Sequence, residues 1–182
     1  MKKRKLFLIS CFALACQSSF SQFYSARTNL LGLATGNLNI EAAMTLNKKW
    51  SVHIPIQYNP FIYSSSKNTK FQNLTVMPGV RYWLRQSYMD KFIGVSLIGT
   101  KFHVGNILND YRYYGYGAGI GVSYGCTYPI NPRWNFEWEA GVAGMWVSCD
   151  KYVNKAAGYK YGDLHEWRIL PHKISASIVY LF

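Results

Sequence analysis

The chain has 182 residues, a net charge of +12 and 17% aromatic side chains, which sets the scale of a single domain. Its first 21 residues, "MKKRKLFLISCFALACQSSFS", join Lys2, Lys3, Arg4 and Lys5 to an apolar run from Leu6 to Ala15 and small residues around Phe20, the layout of a secretory signal cut before Gln22. The mature part keeps 16 Lys+Arg against 8 Asp+Glu, and a basic exported chain points to an anionic surface, outer-membrane lipid and lipopolysaccharide, rather than to nucleic acid.

A lipid-anchored reading rests on Cys16 in "ALAC", but Ala13 stands where such signals usually carry leucine. Residues 22–182 then form one domain without an apolar run approaching 18 residues, so a membrane location demands a closed sheet. Cys126 and Cys149 have no metal-site or redox spacing, and no cofactor motif is present.

Period two governs the rest. Segment 24–33 opens the domain. In 38–46, Leu38, Ile40, Ala42, Met44 and Leu46 alternate with neighbours that include Glu41; in 50–58, Trp50, Val52, Ile54, Ile56 and Tyr58 alternate with Ser51, His53, Pro55 and Gln57. Segment 73–84 sets Leu74, Val76, Val80, Tyr82 and Leu84 against Asn73, Thr75, Gly79 and Arg81. Segments 92–101, 114–128, 134–143 and 169–182 complete eight strands, each with one apolar face. Short turns fall at 47–49, 85–91 and 129–133. Apart from a brief first loop, 34–37, the connections on the other side are long: 59–71, 102–113 and 150–168. This is the layout of an all-β, eight-stranded antiparallel up-and-down barrel of the outer-membrane type.

A soluble barrel holding a lipophilic ligand would alternate with its faces reversed. The aromatics favour the membrane type. Trp50, Tyr82, Phe92, Tyr124, Tyr128, Trp134, Phe136, Tyr180 and Phe182 lie at the short-turn end, and Tyr58, Phe71, Tyr114, Tyr116, Trp146 and Trp167 at the other. Bilayer interfaces select two such girdles.

The stretch "GYGAGIGVSYG" places Gly115, Gly117, Gly119 and Gly121 on one parity. A lumen of eight strands is only wide enough for side chains to fill it, so these glycines are expected to face inward. No dinucleotide fingerprint fits, because the third glycine would fall on an even position. "GVSYG" matches the hydrolase elbow around Ser123, but an elbow is a strand-to-helix turn and Ser123 lies mid-strand. A Ser–His–acid set could be assembled from His53, Ser51 or Ser123, and Glu41 or Glu137, yet no spacing selects it. The other histidines, His103, His165 and His172, fall in or beside the long loops.

Glu41, Glu137 and Glu139 face inward, where Arg81 and Lys173 can meet them. Carboxylates in a narrow lumen call for partners, so a salt-bridged plug is expected, with Arg81 as the best-placed cation. A turn centred near 131 would put Cys126 opposite position 136, leaving Cys149 too far away for a disulfide.

The terminal strand "KISASIVYLF" sets Tyr180 and Phe182 on one face and resembles the C-terminal signal by which Gram-negative outer-membrane proteins reach their insertion machinery. With "RTNLLGLATGNLNIEAAMTLNKKWSV" and "LTVMPGVRYW", the mature chain resembles the Bacteroidetes family known as domain of unknown function 3575. The resemblance implies a small barrel in the outer membrane of a Gram-negative bacterium and brings no catalytic residues. A non-enzymatic role in envelope integrity or surface interaction through loops 59–71, 102–113 and 150–168 is the resulting expectation. A barrel-borne lipid hydrolase or acyltransferase and a narrow pore stand as alternatives.

Overall fold

The computed structural model describes residues 24–64, 69–105, 111–153 and 160–182. Its strands are β1 (Tyr24–Asn29), β2 (Leu38–Asn47), β3 (Trp50–Asn59), β4 (Ile62–Ser64), β5 (Thr69–Val76), β6 (Gly79–Trp83), β7 (Asp90–Gly105), β8 (Tyr111–Pro129), β9 (Trp134–Val153) and β10 (Lys160–Leu181), with one short helix, α1 (Leu30–Ala34). Sequential antiparallel pairing runs round the sheet, and β10 returns to pair β1, with Ala26 opposite Tyr180 and Thr28 opposite Ile178. The sheet is a closed barrel.

Ten strands reduce to eight staves. β5 and β6 are one stave interrupted at Met77–Pro78: Val76 lies opposite Ile56 and Gly99, and Gly79 opposite His53 and Ser96, so the register passes through the gap unchanged. Pro78 and, on β3, Pro55, which stands opposite Met77, both lack an N–H, which thins the ladder there. The Met77 N–H still donates to Pro55 O (3.0 Å) and the Leu97 N–H to Pro78 O (2.9 Å). β4 forms a small hairpin with β5 outside the ring of eight.

Three expectations need correction. The first strand stops at Asn29 rather than 33, because the Asn29 side chain accepts from the Leu31 N–H and caps α1. The run Leu30–Leu31–Gly32–Leu33 has no alternation to hold it in a sheet. Loops 102–113 and 150–168 are largely strand, since β7 runs to Gly105, β8 starts at Tyr111, β9 runs to Val153 and β10 starts at Lys160. What remains of them, 106–110 and 154–159, lies outside the described residues, as does 65–68 of the 59–71 loop. Lastly, Cys126 faces Trp138 rather than position 136, a register displaced by two; both cysteines are buried and free.

The long strands reverse their polarity part-way. Along β9 the outward parity of Trp134, Phe136, Trp138, Ala140, Val142 and Trp146 passes to Ser148, which is buried and hydrogen-bonded to His165, and to half-buried Asp150, while the inward series Asn135, Glu137, Glu139 gives way to Ala143, Met145 and Val147. Apolar-out and polar-in becomes polar-out and apolar-in. The extra strand length escaped the sequence reading because a search for one continuous apolar face ends where the faces exchange roles.

Candidate functional site

Layers of side chains occupy the lumen over part of its height. At the end holding the short turns, Trp83 packs on Phe92 (ring centroids 4.8 Å) and on Tyr88 (5.3 Å). Tyr88 comes from the turn between β6 and β7, which folds into the barrel mouth with Tyr88 and Asp90 at φ of 63° and 65°. Ser25 Oγ donates to the Tyr88 hydroxyl (2.9 Å), Asn135 Nδ2 to Tyr88 O (3.1 Å) and Trp83 Nε1 to Ser51 Oγ (2.9 Å). Buried aromatic N–H and O–H groups need such partners. Phe92, expected in the outer girdle, is fully buried here, because β7 points its even-numbered residues inward.

Above this aromatic floor lie six charges, three of each sign. Arg81 Nη1 is 2.9 Å from Glu41 Oε1, and Arg81 Nη2 is 2.9 Å from Glu139 Oε2. Lys173 Nζ stands 3.0 Å from Glu139 Oε2 and 3.4 Å from Glu41 Oε2. Arg27 bonds Glu137 directly and lies 3.0 Å from Glu41. Ser123 Oγ donates to Glu139 Oε1 (2.7 Å) and Thr127 Oγ1 to Glu137 Oε2 (3.0 Å). All six charged residues are buried. They come from β1, β2, β6, β9 and β10, so the network ties together staves distant in sequence.

The five charged residues named from sequence therefore converge, with one rearrangement: Glu137 pairs with Arg27, which the sequence reading did not name, and not with Arg81. The signal for Arg27 was its parity with Ser25. It was weak because β1 is only 6 residues long and its outward face, Tyr24, Ala26 and Thr28, is barely apolar.

Residues 6–182 match a family profile described as "Protein of unknown function (DUF3575)". The chain belongs to this family. No curated protein matches it.

In this DUF3575 chain the residues considered for catalysis are engaged separately. Ser123 serves Glu139, Ser51 accepts from Trp83, and His53 Nε2 lies 3.4 Å from Ser96 Oγ. Among the described residues these contacts do not join a serine, a histidine and a carboxylate in one relay. His172 corrects the sequence reading, which left it beside a loop. Pairing shifts between Pro171 and Lys173, and the bulge turns the His172 ring into the lumen.

That ring explains two glycines. A Cβ on Gly121 would lie 2.7 Å from His172 Cε1, and one on Gly141 would lie 2.5 Å from it. Gly115 and Gly119 answer a different constraint, since a Cβ there would fall 2.3 Å from the carbonyl oxygens of Ser148 and Gly144 on neighbouring β9. Gly117 is less tightly held: a Cβ there would meet Thr100 Cγ2 at 3.2 Å, Met145 Cε at 3.3 Å and the Trp146 carbonyl oxygen at 3.4 Å. The glycine parity thus reflects close packing of β8 on β9 as well as lumen volume.

Proposed function

We propose that this protein is a small, non-enzymatic outer-membrane barrel with a sealed lumen, acting in envelope integrity or surface interaction through the wall formed by β7–β10 and the segments joining them. The observation that carries this reading is the polarity reversal. A soluble barrel keeps water on its outside along its full height and has no reason to confine outward apolar residues to a band. Here the band is bounded by Trp50, Tyr124, Tyr128 and Trp134 at one edge and Tyr58, Tyr116, Trp146 and Trp167 at the other, all exposed. From Trp134 to Trp146, at ~3.3 Å per residue and ~45° tilt, is roughly 28 Å, near the thickness of a bilayer's hydrocarbon core.

Two features support a seal: the Trp83–Tyr88–Phe92 floor and the neutral six-charge layer above it. Beyond the band the outward face turns polar, with Lys70, Lys101 and Arg112 on neighbouring strands, a charge pattern suited to the phosphates of lipopolysaccharide. The insertion machinery of a Gram-negative, Bacteroidetes-type outer membrane is the expected partner during biogenesis. Purified protein in detergent is expected to migrate differently before and after boiling, and to give no channels in a planar bilayer. Water solubility without detergent would sink the membrane reading, and steady conductance would sink the seal.

A further inference from the structure

Above the charged layer the lumen is not filled. A cavity of about 400 Å³ opens between the inward faces of β5, β7, β9 and β10 toward the end opposite the short turns. Its walls are chiefly apolar, with Met77, Ile98 and Met145 at depth and Phe102, Val147 and Leu170 nearer the mouth. The interior of an eight-stranded barrel is ordinarily closed by its own side chains. Here Thr75 and Thr100, hydrogen-bonded to each other at 2.7 Å, supply only small side chains to one wall.

Polar groups are few and incompletely used. Asn73 Oδ1 and both ring nitrogens of His172 are buried without a hydrogen-bond partner among the described residues; the backbone at Gly141 and Val142, nearest the His172 ring, does not meet hydrogen-bond geometry. At the mouth Arg168, bonded to Glu166, keeps about half of its side chain in the open. An apolar concavity of a few hundred cubic ångströms with a few convergent polar groups is the form taken by small-molecule sites. Left empty, its walls lose contacts on one side, and apolar walls give water little to bond to.

We infer that the outer half of the lumen is a binding cup for a single-chain amphiphile, its hydrocarbon tail against Met77, Ile98 and Met145 and its anionic head beside Arg168 at the mouth. The unused hydrogen-bonding capacity of Asn73 and His172 serves the occupant or the water that enters with it. This site is separate from the seal, which lies beneath it, and does not depend on the seal's integrity.

The test uses the full mature chain, refolded into nanodiscs, and a decanoic-acid analogue carrying a photoreactive diazirine in its tail. Saturable labelling of Met77, Ile98 or Met145, displaced by decanoic acid and reduced at least tenfold in Thr100→Phe, is expected, with heat-shifted gel mobility showing that the variant is folded. Arg168→Gln should weaken decanoic acid several-fold and leave decanol unchanged. The same diazirine placed in the acyl chain of the nanodisc phospholipid separates the sources: labelling of the cup by that lipid assigns the tail to the membrane, and labelling by the free acid alone assigns it to a soluble amphiphile. Labelling confined to outward residues such as Ile120 and Val122, or unchanged in Thr100→Phe, would overturn the inference. A Val147→Phe variant provides the same readout where Thr100→Phe fails to fold.

Discussion

Arg81 Nη2 lies 2.9 Å from Glu139 Oε2 across the lumen, although the two residues are 58 positions apart in the chain. The same guanidinium reaches Glu41, so one side chain joins β6 to both β2 and β9. Removing it would leave carboxylates buried beside too few cations, which costs roughly 3–5 kcal/mol when one partner of a buried pair is lost. Arg81→Ala is expected to lower stability by about that amount in urea unfolding, and Arg81→Ala with Glu139→Gln to lose less than the sum of the two. Additive losses would show that the pair does not act as a unit.

Glu137 gives the matching contrast. Its cation is Arg27, so coupling in a double-mutant cycle is expected between Arg27 and Glu137, with a smaller term between Arg81 and Glu137. A larger Arg81–Glu137 term would mean that the charges are exchanged relative to this arrangement.

How legible this was depends on height in the barrel. In the half containing Trp134 and Glu139, outward apolar and inward polar residues alternate so regularly that strand number, face and most of the charged layer could be read directly. In the other half, Phe102, Val104 and Met145 face inward and His103, Arg112 and Asp150 outward, so the same alternation continues with the opposite meaning. Sequence alone therefore reads 102–113 and 150–168 as loop. Phe71 and Phe92 were placed in the outer girdles by their position at strand ends; their inward orientation depends on pairing register, which aromatic content does not reveal. The bulge that brings His172 inside adds one residue to β10 and leaves no mark in composition.

The glycines on β8 are not equivalent. A methyl at Gly119 would meet the Gly144 carbonyl at 2.3 Å, a backbone atom that can yield only if the strands separate. At Gly117 its contacts are looser, Thr100 Cγ2 at 3.2 Å, Met145 Cε at 3.3 Å and the Trp146 carbonyl oxygen at an ordinary 3.4 Å. Gly119→Ala is expected to cost roughly 1–3 kcal/mol and Gly119→Leu more, whereas Gly117→Ala should stay near the parent. Equal effects in unfolding experiments would contradict this ordering.

The proposed seal has two parts, and their separation predicts what one mutation does. Tyr88→Ala removes the turn residue that closes the aromatic floor and its contact with Ser25, but the charged layer remains. Planar-bilayer recordings are expected to stay silent for this variant. Discrete channels in Tyr88→Ala would place the whole barrier in the turn and deny that role to the six charges.

Cys126 and Cys149 face Trp138 and Gly115 in the β8–β9 ladder, about 36 Å apart along the strand at ~3.3 Å per residue. A disulfide needs Cα atoms within roughly 7 Å. Both thiols are therefore expected to stay free under oxidising conditions, and to react fully with maleimide once the barrel is unfolded. A mobility shift on non-reducing gels that disappears on reduction and in Cys149→Ser would refute the register of the last three strands.

Phe182 separates a role in folding from a role in delivery. Its N–H donates to Tyr24 O at 2.9 Å, its ring meets Tyr180 at 5.0 Å, and Tyr180 in turn meets Trp134 at 4.8 Å. The side chain itself is 70% exposed. One backbone hydrogen bond and one exposed ring contact amount to about 1–2 kcal/mol, too little to prevent a closed barrel from forming. Deleting Phe182 is thus expected to leave refolding in detergent nearly intact while lowering several-fold the amount recovered in the outer membrane, measured as heat-shifted protein in membrane fractions. Equal recovery of the truncated and full chains would remove its role as a recognition signal. Loss of refolding in detergent would instead make the residue a structural clasp between β10 and β1.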